Sequence, residues 1–185
     1  VGSNIMGISD FAFYGCSTLR SISLANGLET IGNGAFADCI NLENCSIESN
    51  ANIKAIGKDA FYNCRSLTSF TTPTGLQALG DSCFEGCTSL QTVDIGGGGD
   101  RQVALKELGN HLFRGCTSLI KLEFPSNYEE SELDIDMFEG CSSLQYLKIQ
   151  NDKVNFGIYH SNDTANYPNC KTTWKTFLNS VPASF

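Results

Sequence analysis

Histidine is scarce in this 185-residue chain, which holds only His111 and His160. Nucleophilic catalysis through a Cys/His pair needs an accessible thiolate beside a base, and neither histidine stands beside a cysteine that the repeat turns outward. Both read as solvated surface residues. Positive charge is short as well: 12 Lys and Arg face 20 Asp and Glu, a net charge of −8. That is the wrong sign for binding phosphates by counterion release, so nucleic acid is not an expected partner. No run of about 18 apolar residues is present, so no segment reads as a membrane insertion. The glycine run Gly96 to Gly99 before Asp100 lacks the spaced Gly-Lys-Ser/Thr of a phosphate loop. The acidic run Glu129, Glu130, Glu132, Asp134 and Asp136 lacks the turn of a calcium loop, and its alternation with Leu133 and Ile135 reads as a solvated face. No enzyme, metal or cofactor is expected from such a set.

What the chain has instead is a six-fold repeat written around Phe-x-x-Cys-x-x-Leu. The copies stand at Phe13/Cys16/Leu19, Phe36/Cys39/Leu42, Phe61/Cys64/Leu67, Phe84/Cys87/Leu90, Phe113/Cys116/Leu119 and Phe138/Cys141/Leu144. Successive cysteines lie 23, 25, 23, 29 and 25 residues apart (39−16, 64−39, 87−64, 116−87, 141−116). This period belongs to a solenoid, whose coils cannot bury an apolar side alone and share one core when stacked.

The register extends on both sides of the motif. Five residues before each Phe stands Ile8, Ile31, Ile56, Leu79, Leu108 or Leu133, followed by Gly32, Gly57, Gly80 and Gly109 in the middle copies and by Ser9 and Asp134 in the end copies. Three residues earlier come Ile5, Leu28, Ile53, Leu76 and Leu105, with Glu130 in the sixth copy. After each Leu, two columns alternate: Ile22/Leu24, Cys45/Ile47, Phe70/Thr72, Val93/Ile95, Leu122/Phe124 and Leu147/Ile149. Period-two alternation predicts one short strand per coil in a parallel sheet. Between Gly and Cys, Asn33, Asp81 and Asn110 are placed to cap a short helical turn, a pattern that Lys58 breaks.

The string Ile31-Gly32-Asn33-Gly34-Ala35-Phe36-Ala37-Asp38-Cys39-Ile40-Asn41-Leu42 resembles the BspA-like, treponemal-type leucine-rich repeat. The resemblance implies an α/β repeat solenoid, a right-handed horseshoe with a parallel concave sheet and short helical turns. It also implies a protein secreted or displayed at the cell surface of host-associated bacteria or some protists, and adhesion to host or partner proteins. The expected organisation is a six-coil solenoid over residues 1–149, then a degenerate seventh repeat and C-terminal cap over 150–185 in the same domain. In that tail Val154, Phe156 and Ile158 alternate like a strand. Trp174, Phe177, Leu178 and Val181 follow helical spacing up to Pro182. The chain starts at Val1 without a signal-like stretch, so an export signal is expected in a longer parent chain.

Nine cysteines invite a disulfide or zinc reading. Six occupy one ladder column, Cys45 replaces an apolar strand residue, and Cys83 stands where Ala12, Ala35 and Ala60 stand in other copies. These are expected to be reduced, buried thiols acting as small hydrophobes. Cys170, outside the regular coils, is the expected exposed thiol.

With the strand columns turned inward, Ser21, Ser23, Asn44, Ser46, Ser69, Thr71, Thr92, Asp94, Lys121, Glu123, Tyr146 and Lys148 face outward. Exposed solenoid sheets are common recognition surfaces, and Tyr146 is the aromatic anchor on this one. The expected function is a non-enzymatic protein-binding or adhesion module working as a monomer; the alternative is a stalk that positions another domain.

Overall fold

The computed structural model describes residues 5–25, 27–48, 52–73, 75–95, 105–124, 132–133, 135–148 and 155–156. In chain order the strands are β1 (Gly7–Ile8), β2 (Ser21–Leu24), β3 (Thr30–Ile31), β4 (Asn44–Ile47), β5 (Ala55–Ile56), β6 (Ser69–Thr71), β7 (Ala78–Leu79), β8 (Thr92–Asp94), β9 (Glu107–Leu108), β10 (Lys121–Glu123), β11 (Glu132–Leu133), β12 (Tyr146–Lys148) and β13 (Asn155–Phe156). All pairings are parallel and join residues one coil apart. The chain is a solenoid of stacked coils.

Each coil carries two strands, where the alternation predicted one. The strand after the repeat Leu forms a first face, laddered as β2–β4 and as β6–β8–β10–β12. The aliphatic–Gly segment forms a second face of five strands, β1–β3–β5–β7–β9. These second strands are only two residues long, too short for period-two alternation to register.

The helical turns are corrected too. Among the described residues the one helix is a 3-10 turn over Ile135–Phe138, so the α/β description does not hold for them. Elsewhere the Gly-to-Cys segment is a run of tight turns whose N–H groups alternate between two destinations. In the first coil Ala12, Tyr14 and Cys16 donate three residues back to Ser9, Phe11 and Phe13, while Phe11, Phe13 and Gly15 donate to Asn33, Ala35 and Ala37 of the next coil. A helix would have kept all of these bonds inside one segment. The alternation needs left-handed backbone twice per coil. One such position precedes the Cys, with positive φ at Gly15, Asp38, Asn63, Gly86, Gly115 and Gly140; the other is held by Phe11, Gly34, Asp59, Ser82 and His111. Gly, Asn and Asp tolerate this region best, which explains the composition of the first column.

Two of the expected caps, Asn33 and Asp81, act differently: Asn33 Oδ1 accepts from the Lys58 N–H at 2.9 Å and Asp81 Oδ1 from the Asn110 N–H at 2.8 Å. Asp10, not expected as a cap, does the same for the Asn33 N–H at 2.7 Å. Each side chain therefore caps the following coil, not a helix of its own.

Inside, Phe36, Phe61, Phe84 and Phe113 are fully buried. The column runs from Phe13 to Phe138 with centroid spacings of 5.2, 5.2, 5.5, 5.7 and 6.3 Å and nearly parallel rings. Phe70 enters from the first face and packs tilted against Phe61 at 5.0 Å and Phe84 at 4.9 Å. Both spacings lie in the favourable range for aromatic pairs.

Candidate interaction face

On the first face the inward residue of each strand is Ile22, Cys45, Phe70, Val93 or Leu122. Ile22 in the first coil is half-buried and the other four are buried. The pleat turns their chain neighbours the other way. Register then aligns two rows across the coils. One holds Ser21 beside Asn44, and Ser69, Thr92, Lys121 and Tyr146 in succession; the other holds Ser23 beside Ser46, and Thr71, Asp94, Glu123 and Lys148. Ser21, Ser23, Asn44, Ser46, Ser69, Thr71, Thr92 and Lys121 are exposed, while Asp94 and Tyr146 are half-buried. The side chains of Glu123 and Lys148 lie outside the described residues. Among those described, no hydrogen-bonded ladder joins β4 to β6, although the two strands lie against each other.

The charged end of the face has a specific geometry. Lys121 Nζ lies 5.4 Å from the centre of the Tyr146 ring, a cation–π distance. The register places these residues directly opposite each other. The pair was visible in sequence only as two members of one column 25 residues apart (146−121).

The thiols sort by position in the stack. Cys39, Cys45, Cys64, Cys83, Cys87 and Cys116 are buried, whereas Cys16 and Cys141, expected to be buried, are half-exposed. Burial pushes the Cys39 thiol up to about 11 and Cys45 to about 12, and raises Cys64, Cys83, Cys87 and Cys116 as well. A raised thiol is a poor nucleophile, because the thiolate is the reactive form. The ladder cysteines are also more than small hydrophobes. Cys39, Cys64, Cys87, Cys116 and Cys141 donate from Sγ to the carbonyls of Phe13, Phe36, Phe61, Phe84 and Phe113 in the preceding coil. Cys170 lies outside the described residues.

His111 holds one of the left-handed turn positions, with φ 56°, and is half-buried; His160 lies outside the described residues. No cluster of three or more His, Cys, Asp or Glu placed to hold a metal ion occurs among the described residues. The acidic segment does not alternate as one strand: after Glu132–Leu133 the chain turns into the 3-10 helix that contains Asp136. Glu129, Glu130 and Asp134, and the Gly96–Gly99 run, lie outside the described residues. No helix among the described residues is long and apolar enough to cross a membrane.

Comparison with known proteins agrees with the geometry. The BspA type leucine rich repeat region matches in 6 copies over residues 1–99 and 101–172. Among solved structures, a leucine-rich repeat protein of Treponema pallidum aligns over 95% of this chain and 76% of its own, with 28% identity and a TM-score of 0.78. A leucine-rich repeat protein of Eubacterium ventriosum aligns with 20% identity over 70% of this chain and 32% of its own, TM-score 0.55. The pneumococcal vaccine antigen PcpA aligns with 24% identity over 78% of this chain and 42% of its own, TM-score 0.54. The last two share the fold, and the chain spans less than half their length. No curated protein sequence matches. Leucine-rich repeats are in general protein-interaction modules and not catalysts, and on these matches the chain belongs to the BspA-type leucine-rich repeat family.

Proposed function

We propose that this chain is the protein-binding part of a secreted or cell-surface adhesin, and that it binds a host or cell-surface protein through the first face. The observation that carries this reading is the outward row Ser69, Thr92, Lys121 and Tyr146, which ends in the Lys121–Tyr146 pair. Flat rows of Ser and Thr offer adaptable hydrogen bonds, while a half-buried tyrosine held by a cation supplies the rigid, amphipathic anchor on which protein interfaces concentrate their energy. The buried thiols, raised by desolvation, are poor nucleophiles and do not reach this face; surface recognition is the chemistry that its exposed hydroxyls and the Lys121–Tyr146 pair support.

The test is binding of the purified chain to immobilised extracellular-matrix and host-surface proteins, read as a saturable isotherm. Saturable binding that a peptide-free control surface does not reproduce supports the reading. Failure to saturate on any of them returns the chain to a spacer that positions another domain.

A further inference from the structure

In the second copy of the repeat the capping asparagine is followed by glycine: Asn33–Gly34, against Asp10–Phe11, Lys58–Asp59, Asp81–Ser82, Asn110–His111 and Ile135–Asp136 at the same register position. The fold demands glycine there, since the backbone is left-handed at φ 57° and a Cβ would stand 2.5 Å from the Phe11 ring. Asn-Gly is also the pair in which asparagine most readily loses its side-chain ammonia, because no Cβ shields the glycine nitrogen that attacks the carboxamide. The structure holds both reacting groups on one residue of the next coil. The Lys58 N–H donates to Asn33 Oδ1 at 2.9 Å, and the Lys58 carbonyl accepts the Gly34 N–H at 2.8 Å. One coil back, the Asp10 carboxylate accepts from the Asn33 backbone N–H at 2.7 Å and from Nδ2 at 3.3 Å.

We propose that Asn33 is a deamidation site that the stack keeps latent, and that it reacts in chains whose third coil has separated from the second. The reaction begins when hydroxide takes the Gly34 N–H proton. The nitrogen then bonds to Cγ of Asn33, the Cγ–Nδ2 bond breaks, and ammonia leaves with a proton from water. Water opens the resulting succinimide to aspartate or to isoaspartate, so that one water is consumed for one ammonia released. A hydrogen bond to Oδ1 by itself favours attack on the carboxamide. The nucleophile decides the outcome: the Gly34 amide is buried, and its proton is kept from hydroxide while the Lys58 carbonyl accepts it. Ring closure would also pull the carboxamide and the following peptide off the same partner residue. Release of coil three frees both at once. The two products then differ. Aspartate keeps the cap, as Asp10 and Asp81 do in their own coils. Isoaspartate adds a methylene to the backbone and takes the coil-two turn out of register with its neighbours, so a chain that has once opened refolds weaker.

The experiment holds the full chain at mildly alkaline pH, once in native buffer and once in guanidinium chloride above its unfolding transition. Conversion at Asn33 is followed by fragmentation mass spectrometry, which separates it from Asn26–Gly27 in the same tryptic peptide. Asn33 is expected to convert at least about tenfold more slowly in the native chain, with exchange of the Gly34 amide hydrogen slowed by a similar factor. Equal conversion in the two conditions overturns the proposal, and so does slow native conversion beside a freely exchanging Gly34 amide. Refolded chains that carry isoaspartate at position 33 are expected to melt about 5 °C or more below the Asn33→Asp variant; equal melting temperatures overturn the claimed consequence.

Discussion

The Cys64 thiol donates to the Phe36 carbonyl of the preceding coil at 3.2 Å, and the same carbonyl accepts the Cys39 N–H at 3.1 Å. One oxygen thus closes a tight turn within its own coil and ties that turn to the next coil. The cysteine column holds the stack in register by hydrogen bonding as well as by packing, since a buried carbonyl has two lone pairs to satisfy.

Cys64→Ala removes the donor and a little volume at a fully buried site, and is expected to cost about 1–2 kcal/mol in urea unfolding. Cys64→Ser keeps a donor at the same place and is expected to cost less. The opposite order would mean that the column needs only an apolar atom there.

Phe61 sits in the middle of the column, touching Phe36, Phe84 and Phe70 with centroids 5.0 to 5.5 Å away. Phe61→Ala is expected to cost about 3–5 kcal/mol, as large core deletions do. Chemical unfolding measures it, and a loss below about 1 kcal/mol, the size of a surface change, contradicts the stacked column.

Stability should depend on pH through the buried thiols. Cys39 and Cys45 are raised from 9.0 to about 11 and about 12, so above pH 9 the unfolded chain releases protons that the folded chain still holds. Folding then binds protons, and stability falls as pH rises, with the full contribution present below the unfolded value. The melting temperature is expected to show no thiol-dependent change below about pH 8 and to drop between about pH 9 and pH 11. Replacing Cys45 by Val should flatten part of that drop; a drop of unchanged size would assign it to other groups.

Binding through the first face is tested at its charged end. Lys121→Glu and Tyr146→Ala are each expected to weaken binding to the captured protein by about tenfold or more, with the melting temperature nearly unchanged, because hot spots cluster on such anchors. Ser21→Ala, at the hydroxylic end, is the silent control. Binding that survives both changes and falls instead when Gly96–Gly99 or residues 150–185 are altered would move recognition to those segments.

The repeat period, the Phe, Cys and Leu core columns and the exposure of Ser21, Ser23, Asn44, Ser46, Ser69, Thr71, Thr92 and Lys121 were legible in sequence. They depend on side-chain periodicity alone, and burying one face of a strand settles which residues turn inward. The Gly, Asp and Asn before each cysteine were a readable sign of left-handed turns in place of helical ones, since helix interiors disfavour all three.

Other features were decided by neighbouring coils. The second face exists because Gly32, Gly57, Gly80 and Gly109 let adjacent backbones meet, a contact that no local pattern within two residues can express. The thiol-to-carbonyl ladder, the caps that serve the following coil and the Lys121–Tyr146 stack all join residues 23 to 32 apart or a comparable repeat distance. Sequence by itself determined that coils would form and what they would bury. Only stacking determined how they bond, because the turn N–H groups alternate between acceptors two or three residues back and acceptors one whole coil away.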